Sequence, residues 1–377
     1  MEPVQIDCGS RRSIAGPLTI VIVNSEPERR EFRRRLLAWF DEHARDLPWR
    51  RTSDPYAIWV SEIMLQQTRV AAVLDHYDLF MRRYPTVTAL AAAAEDDVLA
   101  IWSGLGYYRR ARMLHKAAKF VVSDLAGVLP RSAAGLRVLP GIGEYTSAAI
   151  ASIAFGEAAA AVDGNVERVL MRLLGWDETT APASRIREAA ANALAQARPG
   201  DYNQAMMELG ATVCLPRGPL CLQCPVQKQC ATRGEHATAE RAKMQNRDAA
   251  YVFVQRVTKR GVVEVLLVQR AKDASLMAGM WELPSIGLDK ISEERKLLEV
   301  RHSITVTNYR VSVYGYEPGE ELGLLREDEE RRWVPVSGLN GIPLTGLARK
   351  VLKRLKVLSP AAGRASLDYL EMDLVRS

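Results

Sequence analysis

The chain has 377 residues, which at roughly 150 residues per domain implies two or three domains. Its composition, 48% hydrophobic and 25% charged, is ordinary for a soluble globular protein, and no run of about 18 apolar residues offers a membrane-spanning helix. A net charge of +6 permits a polyanionic partner without demanding one, because no segment concentrates the excess.

Residues 1–27 read as an irregular N-terminal extension containing the isolated Cys8. The short apolar run 18–23 lacks a cleavage-site pattern, so the expectation is an intracellular protein with no membrane association. From Glu28 the pattern turns helical. Phe32, Leu36, Leu37 and Phe40 form one apolar stripe beside Arg29, Arg30, Arg33, Arg34 and Arg35. Helical signals continue over 58–73, 87–99, 111–122, 147–154, 166–174 and 186–197, with turns at Gly104-Leu105-Gly106 and Pro199-Gly200. A second basic cluster, Arg109, Arg110, Arg112, Lys116 and Lys119, reads as a solvated helix face.

Residues 233–249 are polar, without apolar periodicity, and read as a linker. Strand texture follows over 251–257, 262–269 and 304–313, then an amphipathic helix over 344–355. The predicted fold is multidomain: an all-α half over 28–232, a smaller α+β domain over 250–357, and a polar tail over 358–377.

Four of the five cysteines, Cys214, Cys221, Cys224 and Cys230, form a C-x6-C-x2-C-x5-C array in one proline-flanked loop. Disulfides are unexpected in a chain with no export signal. Four crowded thiols suit a tetrahedral zinc or a cubane iron–sulfur cluster; zinc sites more often pair two C-x2-C knuckles, and here there is one.

Three further segments carry chemistry. In Leu139-Pro140-Gly141-Ile142-Gly143, two glycines flank an apolar residue at a helix start, a backbone able to bring amide N–H groups up to a phosphodiester; an ordinary helix–helix turn is the alternative. Asp163 in Val162-Asp163-Gly164-Asn165 opens another helix, either as a plain N-cap or as a carboxylate held where it can stabilise a cationic sugar. Glu62 stands among Trp59, Val60, Ile63, Met64 and Leu65. An apolar pocket would favour its protonated form, making it a general acid beside the Asp163 carboxylate.

The hairpin, the downstream Asp and the cysteine array together resemble the endonuclease III superfamily of helix-hairpin-helix base-excision glycosylases. With Leu47–Arg50, Val60–Val70, Gly104–Tyr108 and Asn203–Gly210 added, the resemblance narrows to the MutY-type adenine DNA glycosylases with a MutT-like (Nudix-like) C-terminal domain. The resemblance implies removal of adenine mispaired with 8-oxoguanine or guanine in double-stranded DNA, by a monomer in the cytoplasm of a bacterium, or in the nucleus or mitochondrion of a eukaryote.

It also implies residue roles. Glu62 is the general acid, Asp163 the sugar-cation carboxylate and Asn165 its polar neighbour. Trp49, Arg50 and Gln204 line the adenine pocket; Gln67, Thr68, Leu105 and Tyr107 wedge into the stack; Gly141 and Gly143 form the DNA-binding hairpin. The four cysteines hold a [4Fe–4S] cluster. Lyase relatives carry a Schiff-base lysine two residues after the Gly-x-Gly hairpin. Tyr145 stands there, and a phenol cannot form an imine, so the expectation is a monofunctional enzyme using water. The C-terminal domain lacks the acidic box of nucleotide pyrophosphohydrolases. Where the family commonly has Phe-Ser-His, this chain has Ile304-Thr305-Val306, keeping only the Thr305 hydroxyl to meet the lesion.

Overall fold

The computed structural model describes residues 25–177, 181–235, 244–304, 306–320 and 330–358. Cys8 and Thr305 lie outside them, as do nearly all of the N-terminal extension, part of the linker and the tail from 359 onward. The α-helices in chain order are α1 (Glu26–His43), α2 (Pro55–Leu65), α3 (Val70–Arg83), α4 (Val87–Ala92), α5 (Glu95–Trp102) and α6 (Arg109–Asp124). There follow α7 (Ala133–Leu136), α8 (Glu144–Phe155), α9 (Gly164–Leu174), α10 (Ala183–Ala193), α11 (Pro199–Thr212) and, near the end, α12 (Gly346–Arg354). The strands are β1 (Gln245–Val257), β2 (Val263–Gln269), β3 (Trp281–Glu282), β4 (Ser285–Ile286), β5 (Lys296–Ile304), β6 (Thr307–Tyr316) and β7 (Glu330–Pro335).

The described residues form two compact units, one drawn from the ranges Met1–Ala44 and Ala160–Ala237, the other from Arg45–Ala159 and Thr238–Ser377. The first holds α1, α9, α10 and α11 around a core that includes Phe32, Leu36, Val169, Tyr202 and Leu209. In the second, α2 is buried on every side, as an apolar helix with no polar face must be; Ile58, Trp59, Val60, Ile63 and Met64 sit in a core with Phe80, Trp102 and Leu114. Asp54 caps this helix, accepting from the Tyr56 amide at 3.0 Å, with Pro55 in its first turn. The segment expected as one helical domain, 28–232, therefore draws on two separate apolar cores.

The C-terminal part of the second unit is α+β. Its mixed sheet runs β3-β2-β1-β6-β5, with β4 added on β1 and β7 on β2. The β1–β6 pair is parallel, from Gln245 opposite Thr307 to Val254 opposite Tyr316. Helix α12 contributes Leu347, Val351 and Leu352 to the same apolar core as Val265, Val311 and Val313. Among the described residues no helix is long and apolar enough to cross a membrane.

Several sequence expectations are corrected. The 58–73 helix breaks at Gln66–Arg69, where Gln67 takes φ 55°, and 87–99 breaks at Ala93-Ala94. Pro199 is no turn residue but occupies the first turn of α11, where its missing N–H costs nothing. The strand signal over 304–313 holds, but it is split between Ile304, which ends β5, and β6 from Thr307 onward, two antiparallel strands rather than one. β1 begins four residues before the end of the 233–249 linker, because Gln245–Asp248 are exposed and polar, pairing with β6 through backbone and through Arg310–Asp248, and so show no apolar alternation. Helix α1 starts at Glu26, inside the expected extension, and Leu358, expected in the tail, is buried in the α12 core.

Candidate functional site

Glu62 lies in the last turn of α2, only 5% exposed, and its Oε2 accepts a 2.6 Å hydrogen bond from the Tyr145 hydroxyl in the first turn of α8. Gln66, just past α2, donates from Nε2 to Thr146 Oγ1 at 3.0 Å and ties the same two helices. The carboxyl and the phenol that the sequence singled out separately are thus one hydrogen-bonded pair.

The hairpin before α8 needs its first glycine for two reasons. Gly141 has φ 78°, and a Cβ there would come within 2.5 Å of Met113 Cβ. Gly143, the N-cap of α8, has φ −93°, and a Cβ would meet nothing within 4 Å. Its value lies in open backbone rather than in packing. Trp49 is buried edge-on to Tyr77, ring centroids 5.2 Å apart, and Arg50 donates to the Arg45 carbonyl at 3.0 Å.

Of the four residues expected in the stack, Gln67 and Tyr107 are exposed on left-handed backbone, at φ 55° and 50°. Thr68 is half-buried, and Leu105 packs in the helical core. Arg110, which belongs to the basic cluster expected on a solvated face, instead turns inward, with Nη2 donating to Thr68 Oγ1 at 3.0 Å and to the Gly106 carbonyl at 3.1 Å. Burial lowers its pKa to about 10. The overlooked signal was aromatic: Trp102 and Tyr107 flank the guanidinium carbon at 5.5 and 5.3 Å.

In the first unit, Asp163 caps α9, its Oδ1 accepting from the Asn165 and Val166 amides at 2.9 and 2.8 Å. Asn165 Nδ2 donates to Asp163 Oδ2 at 3.2 Å, while Arg168 Nη2 donates to Asn165 Oδ1 at 2.8 Å, which orients the amide. The N-cap and the sugar-facing readings are compatible, since only one carboxylate oxygen serves the cap. Gln204 is half-buried on α11.

Cys214, Cys221, Cys224 and Cys230 are free thiols lining a single cavity. Two arginines one turn apart on α9 hold the loop around it. Arg168 Nε donates to the Cys214 carbonyl at 3.0 Å, and Arg172, fully buried, donates to the Leu215 and Pro216 carbonyls at 2.6 and 3.0 Å and to Cys214 Sγ at 3.5 Å. Among the described residues no three His, Cys, Asp or Glu side chains converge closely enough for a single ion. Four thiols lining one cavity form a donor set whose chemistry fits a metal or a metal cluster. Burial pushes the Cys224 thiol up to about 12, so ligation requires metal cations to displace its proton.

In the C-terminal domain, Ile304 ends β5, and Val306 beside Thr305 is half exposed. Helix α12 carries Arg349, Lys350, Lys353 and Arg354 and no carboxylate.

Comparison with known proteins places the chain beside a family model, two curated relatives and a solved structure. Residues 60–196 match the family model described as HhH-GPD superfamily base excision DNA repair protein. An adenine DNA glycosylase of Homo sapiens is 50% identical over 214 residues, covering 54% of this chain and 39% of its own length; that of Rattus norvegicus is 39% identical over 330 residues, covering 72% and 64%. This chain thus spans less than two thirds of either relative. A solved thermostable thymine-DNA glycosylase is 32% identical with a TM-score of 0.51, over 54% of this chain and 96% of its own.

Proposed function

Because the chain belongs to the HhH-GPD superfamily of base excision DNA repair proteins, we propose that it is a monofunctional adenine DNA glycosylase acting on adenine opposite 8-oxoguanine or guanine in duplex DNA. The observation that carries the reading is the buried Glu62 carboxyl bonded at 2.6 Å to Tyr145, the residue standing where a lyase needs an amine. The names of the human and rat relatives support the choice of base.

In this mechanism Glu62 protonates adenine N7, and the C1′–N9 bond breaks with its electron pair leaving on the neutral base. The Asp163 carboxylate stabilises the oxocarbenium-like sugar, and water adds at C1′, losing its proton to a carboxylate. Asn165 orients Asp163. Trp49, Arg50 and Gln204 receive the extruded base, and the hairpin amides at Gly141–Gly143 take the backbone phosphate. The four cysteines hold a [4Fe–4S] cluster, which when bound fixes the 214–230 loop and supplies no step of the hydrolysis. The 250–357 domain, MutT-like, reads the opposite base with Thr305, and the protein works as a monomer.

The test is single-turnover excision on matched duplexes carrying A:8-oxoguanine, A:G, A:T, T:G and thymine glycol:A, with and without alkali. Alkali-dependent cleavage at adenine, fastest opposite 8-oxoguanine and abolished by Glu62→Gln with duplex binding retained, is expected. Preferred cleavage at T:G overturns the base assignment. Cleavage at thymine glycol without alkali overturns the monofunctional mechanism.

A further inference from the structure

Two loops of the second unit, Gln66–Arg69 after α2 and Ser103–Tyr108 before α6, each present an exposed side chain from a non-glycine residue in the left-handed region, Gln67 and Tyr107. Such backbone is unfavourable and persists only where its surroundings impose it. One side chain reaches both loops. Arg110, in the first turn of α6, donates from Nη1 to the Ile63 and Met64 carbonyls, each at 2.9 Å, and to the Gln66 carbonyl. Its Nη2 donates to Thr68 Oγ1 at 3.0 Å, to the Gly106 carbonyl at 3.1 Å and to the Leu105 carbonyl at 3.5 Å. Trp102 steadies the second loop from the other side, its Nε1 donating to the same Gly106 carbonyl at 3.1 Å.

The chemistry suits a guanidinium and no other side chain. The last carbonyls of α2 have no partner within the helix and carry the negative end of its dipole, so a cation with several fixed donors caps them. A planar fork can serve acceptors on two separate loops at once; an ammonium on a flexible stem cannot hold that geometry.

We infer that Arg110 is a positioning residue that locks the Gln67 and Tyr107 loops into one rigid wedge for opening the duplex, and that the wedge acts on extrusion of the base rather than on bond cleavage. This rests on the glycosylase reading above. Its physical basis is that a wedge pushing into a base stack must resist the recoil. Two loops tied to one guanidinium do so together, whereas separately they would yield.

The test uses the full-length Arg110→Lys protein and two substrates, a duplex with A:8-oxoguanine and one with the adenine in a single-base bulge, which needs no unpairing. Extrusion is read independently of chemistry by the fluorescence of 2-aminopurine replacing the target adenine. Arg110→Lys is expected to lose at least about tenfold in single-turnover rate on the paired substrate, to return to within about threefold of the parent on the bulge, and to lose the 2-aminopurine brightening. Equal losses on both substrates, or no loss on either, would overturn the inference. Should the lysine variant melt too low to assay, Thr68→Val, which removes one acceptor, is expected to give the same pattern at smaller amplitude, and its absence counts against the inference equally. A parent protein that brightens 2-aminopurine but excises no adenine would refute the glycosylase reading and leave the wedge standing.

Discussion

Tyr145 shows how much a single side chain can carry. Its identity excludes imine chemistry from the sequence alone, but its positive role emerges only from the 2.6 Å bond to Glu62. Tyr145→Phe removes that donor and leaves Glu62 buried with one partner fewer. The expected result is about a tenfold fall in single-turnover adenine excision, about 1.4 kcal/mol, with duplex affinity unchanged. An unchanged rate would show that the phenol does not position the acid. At this scale the sequence made legible which side chains have the right chemistry, as for Glu62, Asp163 and the cysteines, and the structure shows where they stand. The roles of Arg110 and Arg172 were not legible, because a charge read from sequence defaults to solvent, and burial is decided by elements remote in the chain.

At the scale of elements, α9 and α11 approach closely at Gly210, where a Cβ would stand 2.7 Å from Asn165 Cβ and 3.2 Å from its carbonyl oxygen. Gly210→Ala must therefore push on the residue that orients Asp163. An overpacking cost of about 1–3 kcal/mol is expected. It should appear as a lower melting temperature together with reduced excision at saturating DNA. Loss of melting temperature with a normal rate would separate the packing from the catalytic geometry. Amphipathic helices such as α6 and α9 were recognised from their apolar stripes, since a half-buried helix writes its period into the sequence. Helix α11 was missed because most of its residues are buried and no stripe exists, and because Pro199 reads as a turn until its place at the helix start is known. The break after α2 was invisible for another reason. The left-handed Gln67 is held by an arginine more than forty residues away.

Within the second unit the α+β domain meets α2–α8 through a seam of specific bonds. The Leu344 carbonyl accepts from Ser103 Oγ at 2.8 Å and from the Tyr108 hydroxyl at 3.2 Å, and Arg349 Nε donates to Ser103 Oγ at 3.0 Å. Arg112 reaches the Ala278 carbonyl at 2.5 Å, and Met280, fully buried, joins the helical core. Arg349→Ala should cost about 1–2 kcal/mol and lower the melting temperature by about 2–5 °C. It should also narrow the preference for adenine opposite 8-oxoguanine over A:T more than it lowers the rate on either. Calorimetry and competition between the two duplexes test this, and an unchanged preference would show that the seam carries stability alone. The sequence by itself determined the helical and α+β classes, the cysteine array and the residue types able to do acid–carboxylate chemistry, because periodicity, ligand spacing and side-chain chemistry are local. Only the tertiary structure decided that Glu62 answers to Tyr145, that Arg110 faces inward and that the C-terminal domain shares a core residue with the helices around α2. These are long-range contacts, settled by which surfaces bury each other best, and no local pattern encodes them.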